Sequence, residues 1–228
     1  MKYSAIIPAG GSSSRYGQGN KLFQILNGKP VFLHAVEQFR IFCEDQYIII
    51  PVHKDQKEEL LELMEKYIPG NSITVVNGGA DRTRSVLNAI EAIPSDSGWT
   101  AVHDAARPLI RSCTIKAVYE AAKEHSAAAA ARPVNSTLKM IDESGLLSAG
   151  KINREFIWEI ETPQTFRTEL LRHALRETVV QNLSFTDDTA AVEQFCGIRA
   201  VPVHPEEINL KITRPADLPL AEALLQTR

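Results

Sequence analysis

The sequence predicts an α/β protein: a three-layer sandwich with a mostly parallel, Rossmann-like sheet and a protruding β-hairpin arm. Three observations carry this. Short continuous apolar runs alternate with amphipathic segments along most of the chain, the pattern of parallel strands covered by helices on both faces. A glycine- and serine-rich loop follows the first apolar run directly, where open α/β sheets hold their ligands. Near Asn135 the rhythm changes to polar–apolar alternation around a turn-like Asp-Glu-Ser-Gly at 142–145, which is a hairpin signature.

The elements follow in order. Residues 3–8 read as a buried strand. Residues 30–42 open with a proline, which helices accept in their first turn, and keep Val31, Ala35, Phe39 and Phe42 on one face. Residues 46–52 form a second continuous apolar strand. Residues 54–67 set Leu60, Leu61 and Leu63 among charges, as a surface helix does. Residues 72–76 are a strand, and Asp81 can cap a helix carrying Val86, Ala89, Ile90 and Ile93. Residues 99–104 are a strand, Ser112 can cap a helix to about His125, and 127–134 read as a buried strand despite five alanines. Crossovers between these strands should be right-handed. The arm is expected over about 136–159. Beyond it come helices at 167–179 and 187–196, strands at 198–203 and 208–212, and a last helix from about Arg214.

The bulk properties narrow the class. The 228 residues suit a single domain, 1–228, with the arm as a subdomain. An apolar share of 44% and a charged share of 23% are ordinary for a soluble globular protein. A net charge of −3 argues against a dedicated nucleic-acid binder. No apolar run reaches the roughly 18 residues of a membrane span, and the first apolar stretch is too short for a signal peptide, breaking at Pro8. Cys43, Cys113 and Cys196 are odd in number and widely spaced. They suit a reduced compartment, here taken as cytoplasmic, and neither a disulfide framework nor a zinc site. The histidines show no zinc-ligand spacing, and none is assigned a catalytic role.

Several stretches carry candidate chemistry. In "PAGGSSSRYGQGNK", Gly10 and Gly11 let backbone N–H groups approach an anion closely. Arg15 adds a rigid fork for phosphate oxygens and Lys21 a compact mobile charge. The plain alternative is a tight turn. In "NGGADRTRSV", backbone amides near Gly78 and Gly79 could read a base edge, with Ser85 one turn in; the alternative is a β-turn and helix cap. In "VHDAARP", Asp104 could bind a ribose hydroxyl or help place a metal ion, with Arg107 beside it, or could simply cap a helix. In "NLKITRP", Lys211 sits in an apolar strand, where an unpaired lysine is costly; it either snorkels to solvent or, as favoured here, faces a polar site. "TDD" at 186–188 alone reads as an N-cap, and Arg154 alone as a surface charge.

Taken in this order and spacing, "PAGGSSSR…NK", "GGADRTRSV", "VHDAARP", "TPQTF", "TDD" and "NLKITRP" resemble the 2-C-methyl-D-erythritol 4-phosphate cytidylyltransferases of the non-mevalonate isoprenoid pathway. The likeness spans nearly the whole chain. It implies a fold of the nucleotide-diphospho-sugar transferase type. It implies transfer of CMP from CTP to methylerythritol phosphate with release of pyrophosphate, Mg²⁺ as cofactor, and a homodimer with interlocking arms. It also implies roles. Arg15 and Lys21 match the pair that stabilises charge on the triphosphate. Pro8, Ala9, Gly10, Gly11, Gly79 and Ser85 match nucleotide contacts. Asp104 and Arg107 match positions around nucleotide and acceptor. Thr137, Thr186, Asp187 and Lys211 match the acceptor pocket, and Arg154 an arm arginine that reaches the partner's site. Mg²⁺ is expected to be held mainly by the CTP phosphates, with Asp104 as a protein ligand that could join. Two positions depart from the family pattern. Ser13 stands where glycine is frequent, and Ala80 with Asp81 where two acidic residues are frequent.

The chemistry agrees with this reading. A phosphate monoester is ionised at neutral pH and is its own nucleophile, so the reaction needs alignment of two polyanions and neutralisation of growing charge. Lysine, arginine and Mg²⁺ supply that. The nearest alternative is a ribitol 5-phosphate cytidylyltransferase, whose relatives more often carry valine in the motif where Ala106 stands. A nicotinamide oxidoreductase would lack its glycine fingerprint here, and a non-catalytic binding protein would not need Lys21 and Lys211.

Overall fold

A computed structural model describes residues 2–10, 16–17, 19–148, 150 and 152–227. The chain runs through β1 (Lys2–Ile6), β2 (Ile25–Leu26), β3 (Lys29–Pro30), α1 (Val31–Phe39), β4 (Ile48–Val52), α2 (Lys57–Tyr67), β5 (Thr74–Asn77), α3 (Arg82–Glu91), β6 (Ser97–Val102) and α4 (Ser112–His125). It continues with β7 (Ala127–Pro133), β8 (Trp158–Arg167), α5 (Thr168–Val180), α6 (Asp188–Cys196), β9 (Val201–Val203) and α7 (Asp217–Gln226). Seven strands form one sheet in the order β5-β4-β1-β6-β8-β7-β9. β4, β1, β5 and β6 pair in parallel, and so do β7 and β9; β8 runs antiparallel to both its neighbours.

Side-chain alternation divides the sheet between two cores. On β4, Ile48, Ile50 and Val52 pack on one face, with α1, Leu60 and Met64 of α2, and Ala221 of α7. Ile49 points to the other, against Val86, Ala89 and Ile90 of α3, Leu171, Ala174 and Leu175 of α5, and Val192 of α6. Three consecutive isoleucines are therefore all fully buried, each gaining about 1.5–3 kcal/mol from leaving water. The three-layer sandwich is thus as the sequence predicts.

Differences from the sequence reading are local. The hairpin of β2 and β3 was not anticipated, although Asn27-Gly28 is its signal: both residues have positive φ (46° and 85°), as a two-residue hairpin turn requires. In the arm, among the described residues, antiparallel pairing is found at the base, where Val134 N donates to Ile157 O at 3.1 Å and Arg132 and Pro133 pair with Glu159 and Trp158, and again at the tip. There Ile141 bridges Leu147, Ser148 N donates to Met140 O at 2.8 Å, and Asp142 N donates to Leu146 O at 3.0 Å. β8 begins at Trp158. No strand forms over 208–212. Only Ile212 N pairs across, donating to Ala106 O at 2.8 Å, and the segment is held by side chains instead. The caps differ in kind: Asp81 and Asp187 accept backbone N–H bonds from Arg84 and Ala190, whereas Ser112 is the first helical residue and not a cap.

Candidate active site

The carboxyl ends of β1, β4, β5 and β6 open into one cleft of about 670 Å³. Pro8 and Gly10 follow β1, His53 and Gln56 follow β4, and Gly79 to Arg82 with Ser85 follow β5. Asp104 to Ala106 follow β6, and Lys21, Lys211 and Thr213 complete the walls. The chain order changes direction across the sheet at β1, with β4 on one side and β6 on the other. This is the switch point where such sheets form their crevice.

The turn after β5 is built on glycine. A Cβ at Gly79 would lie 2.4 Å from Arg84 Cβ and 2.8 Å from the Arg84 carbonyl carbon, so a larger residue displaces the start of α3. The Gly79 N–H donates to Ser85 Oγ at 3.0 Å, and the Ser85 hydroxyl donates to Asp81 O at 2.7 Å. A serine oxygen has two acceptor sites, so Ser85 keeps one for an incoming N–H donor. Asp81 closes the turn, accepting from Arg84 N at 2.7 Å.

Asp104 is the electrostatic centre. Its side chain is 15% exposed, with Lys211 Nζ at 2.7 Å, Arg107 Nε at 3.7 Å and Arg82 Nε at 3.9 Å. Burial pushes its pKa up, but Lys211, Arg82 and Arg107 overrule burial and hold it at about 2. The lysine that looked costly in an apolar segment is therefore paired. Arg107 Nη1 donates to Asn209 O at 2.7 Å, tying the 209–213 segment to the loop after β6. Lys21 Nζ donates to Ile212 O at 2.8 Å from the other wall. Beneath them His103 is fully buried, and burial lowers its pKa to about 4. Its Nε2 meets the Arg107 carbonyl, which only accepts, so Nε2 carries the proton and Nδ1 accepts from the Thr162 hydroxyl.

Of the residues singled out in the sequence, Pro8, Gly10, Lys21, Gly79, Ser85, Asp104 and Lys211 line this cleft. Ala9 lies buried below it, its N–H donating to Pro51 O at 2.8 Å. Arg107 stands behind Asp104. Thr186 is exposed, and Asp187 caps α6 while accepting from the Thr189 hydroxyl at 2.8 Å. Thr137 and Arg154 are exposed on the arm, away from the cleft lining, with Arg154 Nη1 donating to Asn135 O at 2.8 Å. Gly11, Ser13 and Arg15 lie outside the described residues.

Sequence reasoning missed Arg82 and Asp188. Arg82 lines the cleft and makes a bidentate pair with Asp188, at 3.0 and 2.8 Å, although Asp188 is 106 residues away. Its position in the first turn of a helix after two glycines was a usable signal; Asp188 lay within the "TDD" stretch already singled out, but nothing local indicated that the two pair.

Among the described residues no group of three or more histidine, cysteine, aspartate or glutamate side chains could hold a metal ion. The cleft offers the carboxylates of Asp104 and Asp81. That sparse set fits Mg²⁺, which keeps few protein ligands when substrate phosphates supply the rest.

The comparisons with known proteins decide the family. The model of the IspD family, 2-C-methyl-D-erythritol 4-phosphate cytidylyltransferase, matches residues 3–227. The chain belongs to this family. It is 35% identical over 227 residues to the 2-C-methyl-D-erythritol 4-phosphate cytidylyltransferase of Bacillus velezensis, covering 99% of this chain and 97% of that one. The crystal structure of the Thermus thermophilus cytidylyltransferase superposes with a TM-score of 0.80 at 30% identity, covering 99% of this chain and 100% of that one. The 4-diphosphocytidyl-2C-methyl-D-erythritol synthase of Anaerococcus prevotii gives a TM-score of 0.83 at 25% identity, over 99% and 96% of the two chains. As a family member the chain is an enzyme of the nucleotidyltransferase class.

Proposed function

We propose that this cytidylyltransferase moves CMP from CTP to 2-C-methyl-D-erythritol 4-phosphate, giving 4-CDP-2-C-methyl-D-erythritol and pyrophosphate. The observation that carries it is the cleft at the sheet's switch point, where Lys21, Lys211 and Asp104 meet in a chain matched to this family from end to end. An acceptor phosphate oxygen attacks the α-phosphorus in line. The new P–O bond forms as the bond to the β-phosphate oxygen breaks, and the electron pair leaves with pyrophosphate. No proton need move, so no side-chain nucleophile or base is required.

The roles divide by position. Lys21 and Arg15 take charge developing on the triphosphate, a preorganised electrostatic effect. Pro8 to Gly11 and Gly79 surround the nucleotide, and Ser85 Oγ offers its open acceptor site to a base amine. Asp104 accepts ribose hydroxyls. Being ionised, it also stands ready as a ligand for Mg²⁺, which when bound offsets phosphate charge. Lys211 exchanges Asp104 for the incoming acceptor phosphate, while Arg107, Thr137, Thr186 and Asp187 shape the acceptor side.

We further propose a cytoplasmic homodimer joined through the arms, with Arg154 entering the partner's cleft. Two observations support it. Met140, Ile141, Leu146, Leu147 and Phe156 are 59–81% exposed on the arm, a concentration of apolar surface typical of interaction sites. All three cysteines are free, as a reducing compartment favours. No described helix is long and apolar enough to cross a membrane.

The test is pyrophosphate release with CTP and Mg²⁺, offering methylerythritol phosphate and ribitol 5-phosphate in parallel. Release with the first alone is expected. Release with the second alone would move the acceptor assignment to a pentitol phosphate. Silence with both, in protein that binds CTP, would overturn the acceptor pocket.

A further inference from the structure

Arg82 is the first residue of α3, directly after the glycine turn in the cleft wall. Its guanidinium lies in the cleft wall, 35% exposed, yet its fork closes on a carboxylate that is only 2% exposed. That carboxylate, Asp188, is the first residue of α6 and follows Thr186 and Asp187 directly. Asp188 is held from a third side, its N–H donating to Gln164 Oε1 at 3.1 Å, while Gln164 Nε2 donates to Asp187 Oδ2 at 3.3 Å. Two of the five guanidinium N–H donors go to Asp188. The Nε edge turns to Asp104 Oδ1, at 3.9 Å, too far for a hydrogen bond but close enough for attraction. One cation thus joins three segments: the glycine turn after β5 and the loop after β6, both in the cleft wall, and the start of α6 behind them.

We propose that Arg82, clamped by Asp188, is a positioning residue for cytidylyl transfer: it sets the acceptor wall at 186–188 in register with the nucleotide wall, so that the acceptor phosphate is aimed at the α-phosphorus. This rests on the reaction proposed above. The geometry favours it over a purely structural pairing. A salt bridge needed only for packing has no reason to lie in the wall of the cleft, nor to point its third edge at the carboxylate there. In-line transfer is sensitive to such register, since a misplacement of about 1 Å costs on the order of 10²-fold in rate. A lysine would keep the charge but lose the two-pronged bond that fixes orientation.

The experiment uses the full chain with Arg82→Lys, Asp188→Asn and the double variant. Melting curves confirm folding, and both single changes are conservative enough to keep it. Pyrophosphate release is measured at saturating CTP against methylerythritol phosphate, and CTP affinity by calorimetric titration with Mg²⁺. For each single variant we expect kcat/KM for the acceptor to fall by about 10- to 100-fold, while the CTP dissociation constant moves by less than about threefold. The double variant should be no worse than the weaker single one, because both break the same clamp. Single variants within about threefold of wild type in acceptor kcat/KM, an equal loss in CTP affinity, or additive losses in the double variant would each overturn the proposal. Wild-type protein runs alongside. Its silence would overturn the proposed reaction and this inference with it, whereas active wild type with active variants overturns this inference alone.

Discussion

Lys211 Nζ lies 2.7 Å from Asp104 Oδ2, joining the segment after β9 to the end of β6 across the cleft wall. Against burial, which raises it, this contact together with Arg82 and Arg107 holds the Asp104 pKa at about 2, from an ordinary value of 3.8. A depressed carboxylate pKa adds stability that is complete above the unfolded value and is lost as pH falls through the folded one. Asp104→Asn should therefore be less stable than wild type at neutral pH, by on the order of 2 kcal/mol. The gap should narrow as pH falls from about 4 toward 2. Denaturant titrations of both proteins across that range check it; a gap that persists unchanged at pH 2 would show that the charge is not its source.

His103 gives a second pH signature with the same sign. Its pKa falls from 6.5 to about 4 because burial opposes its charge. The unfolded chain binds the extra proton first, so stability should decline as pH falls through that window. Between pH 7 and 4.5 wild type should lose about 2–3 kcal/mol more than His103→Gln, which cannot titrate. Chemical unfolding of both at the two pH values decides it.

Gly79→Ala should be destructive where Gly145→Ala is mild. At Gly79 the new Cβ meets the Arg84 backbone and Cβ, whereas at Gly145, with φ of 82°, it meets nothing within 4 Å. The first should cost about 1–3 kcal/mol by overpacking and should weaken CTP binding. The second should cost about 1 kcal/mol of backbone strain and leave CTP binding alone. Melting curves with CTP titrations separate the two.

Lys21→Ala should lower turnover about 10²–10³-fold, as loss of a preorganised charge does. The readout is kcat under saturating substrates. Turnover close to wild type would remove Lys21 from the reaction.

Arg154→Ala should raise the acceptor KM with little change in that for CTP. A change confined to CTP would show that the arm arginine was assigned to the wrong substrate. Mixing this variant with Lys21→Ala adds a test of the dimer, since a shared site should recover activity in the mixed species.

Much of this was legible in the chain itself. Ile48 to Ile50 had to be a strand buried on both faces, because nothing else hides three consecutive isoleucines between helices. Asp81 and Asp187 declared two helix starts, and their caps formed. The glycine loop and the 77–86 turn located the cleft, since both follow parallel strands. β8 was harder. Its centre holds Glu161, Thr162, Gln164 and Thr165, all buried, a polar set to which the sequence reading assigned no sheet strand. Glu161 accepts from Arg132 and Asn209, and Gln164 from the Asp188 N–H, so partners remote in sequence make burial of that strand possible.

The sequence by itself determined the alternation of strands and helices, the two-faced sheet and the place of the glycine turns at the strand ends. Those follow from periodicity and from the backbone freedom of glycine, which act over a few residues. Only the tertiary structure decided that β8 runs antiparallel within the sheet, that Lys211 meets Asp104, and that Arg82 closes on Asp188. These depend on charges and polar groups finding each other across 24 to 107 positions. Which partner a buried charge takes is set by where the folded sheet carries it, and no local pattern records that.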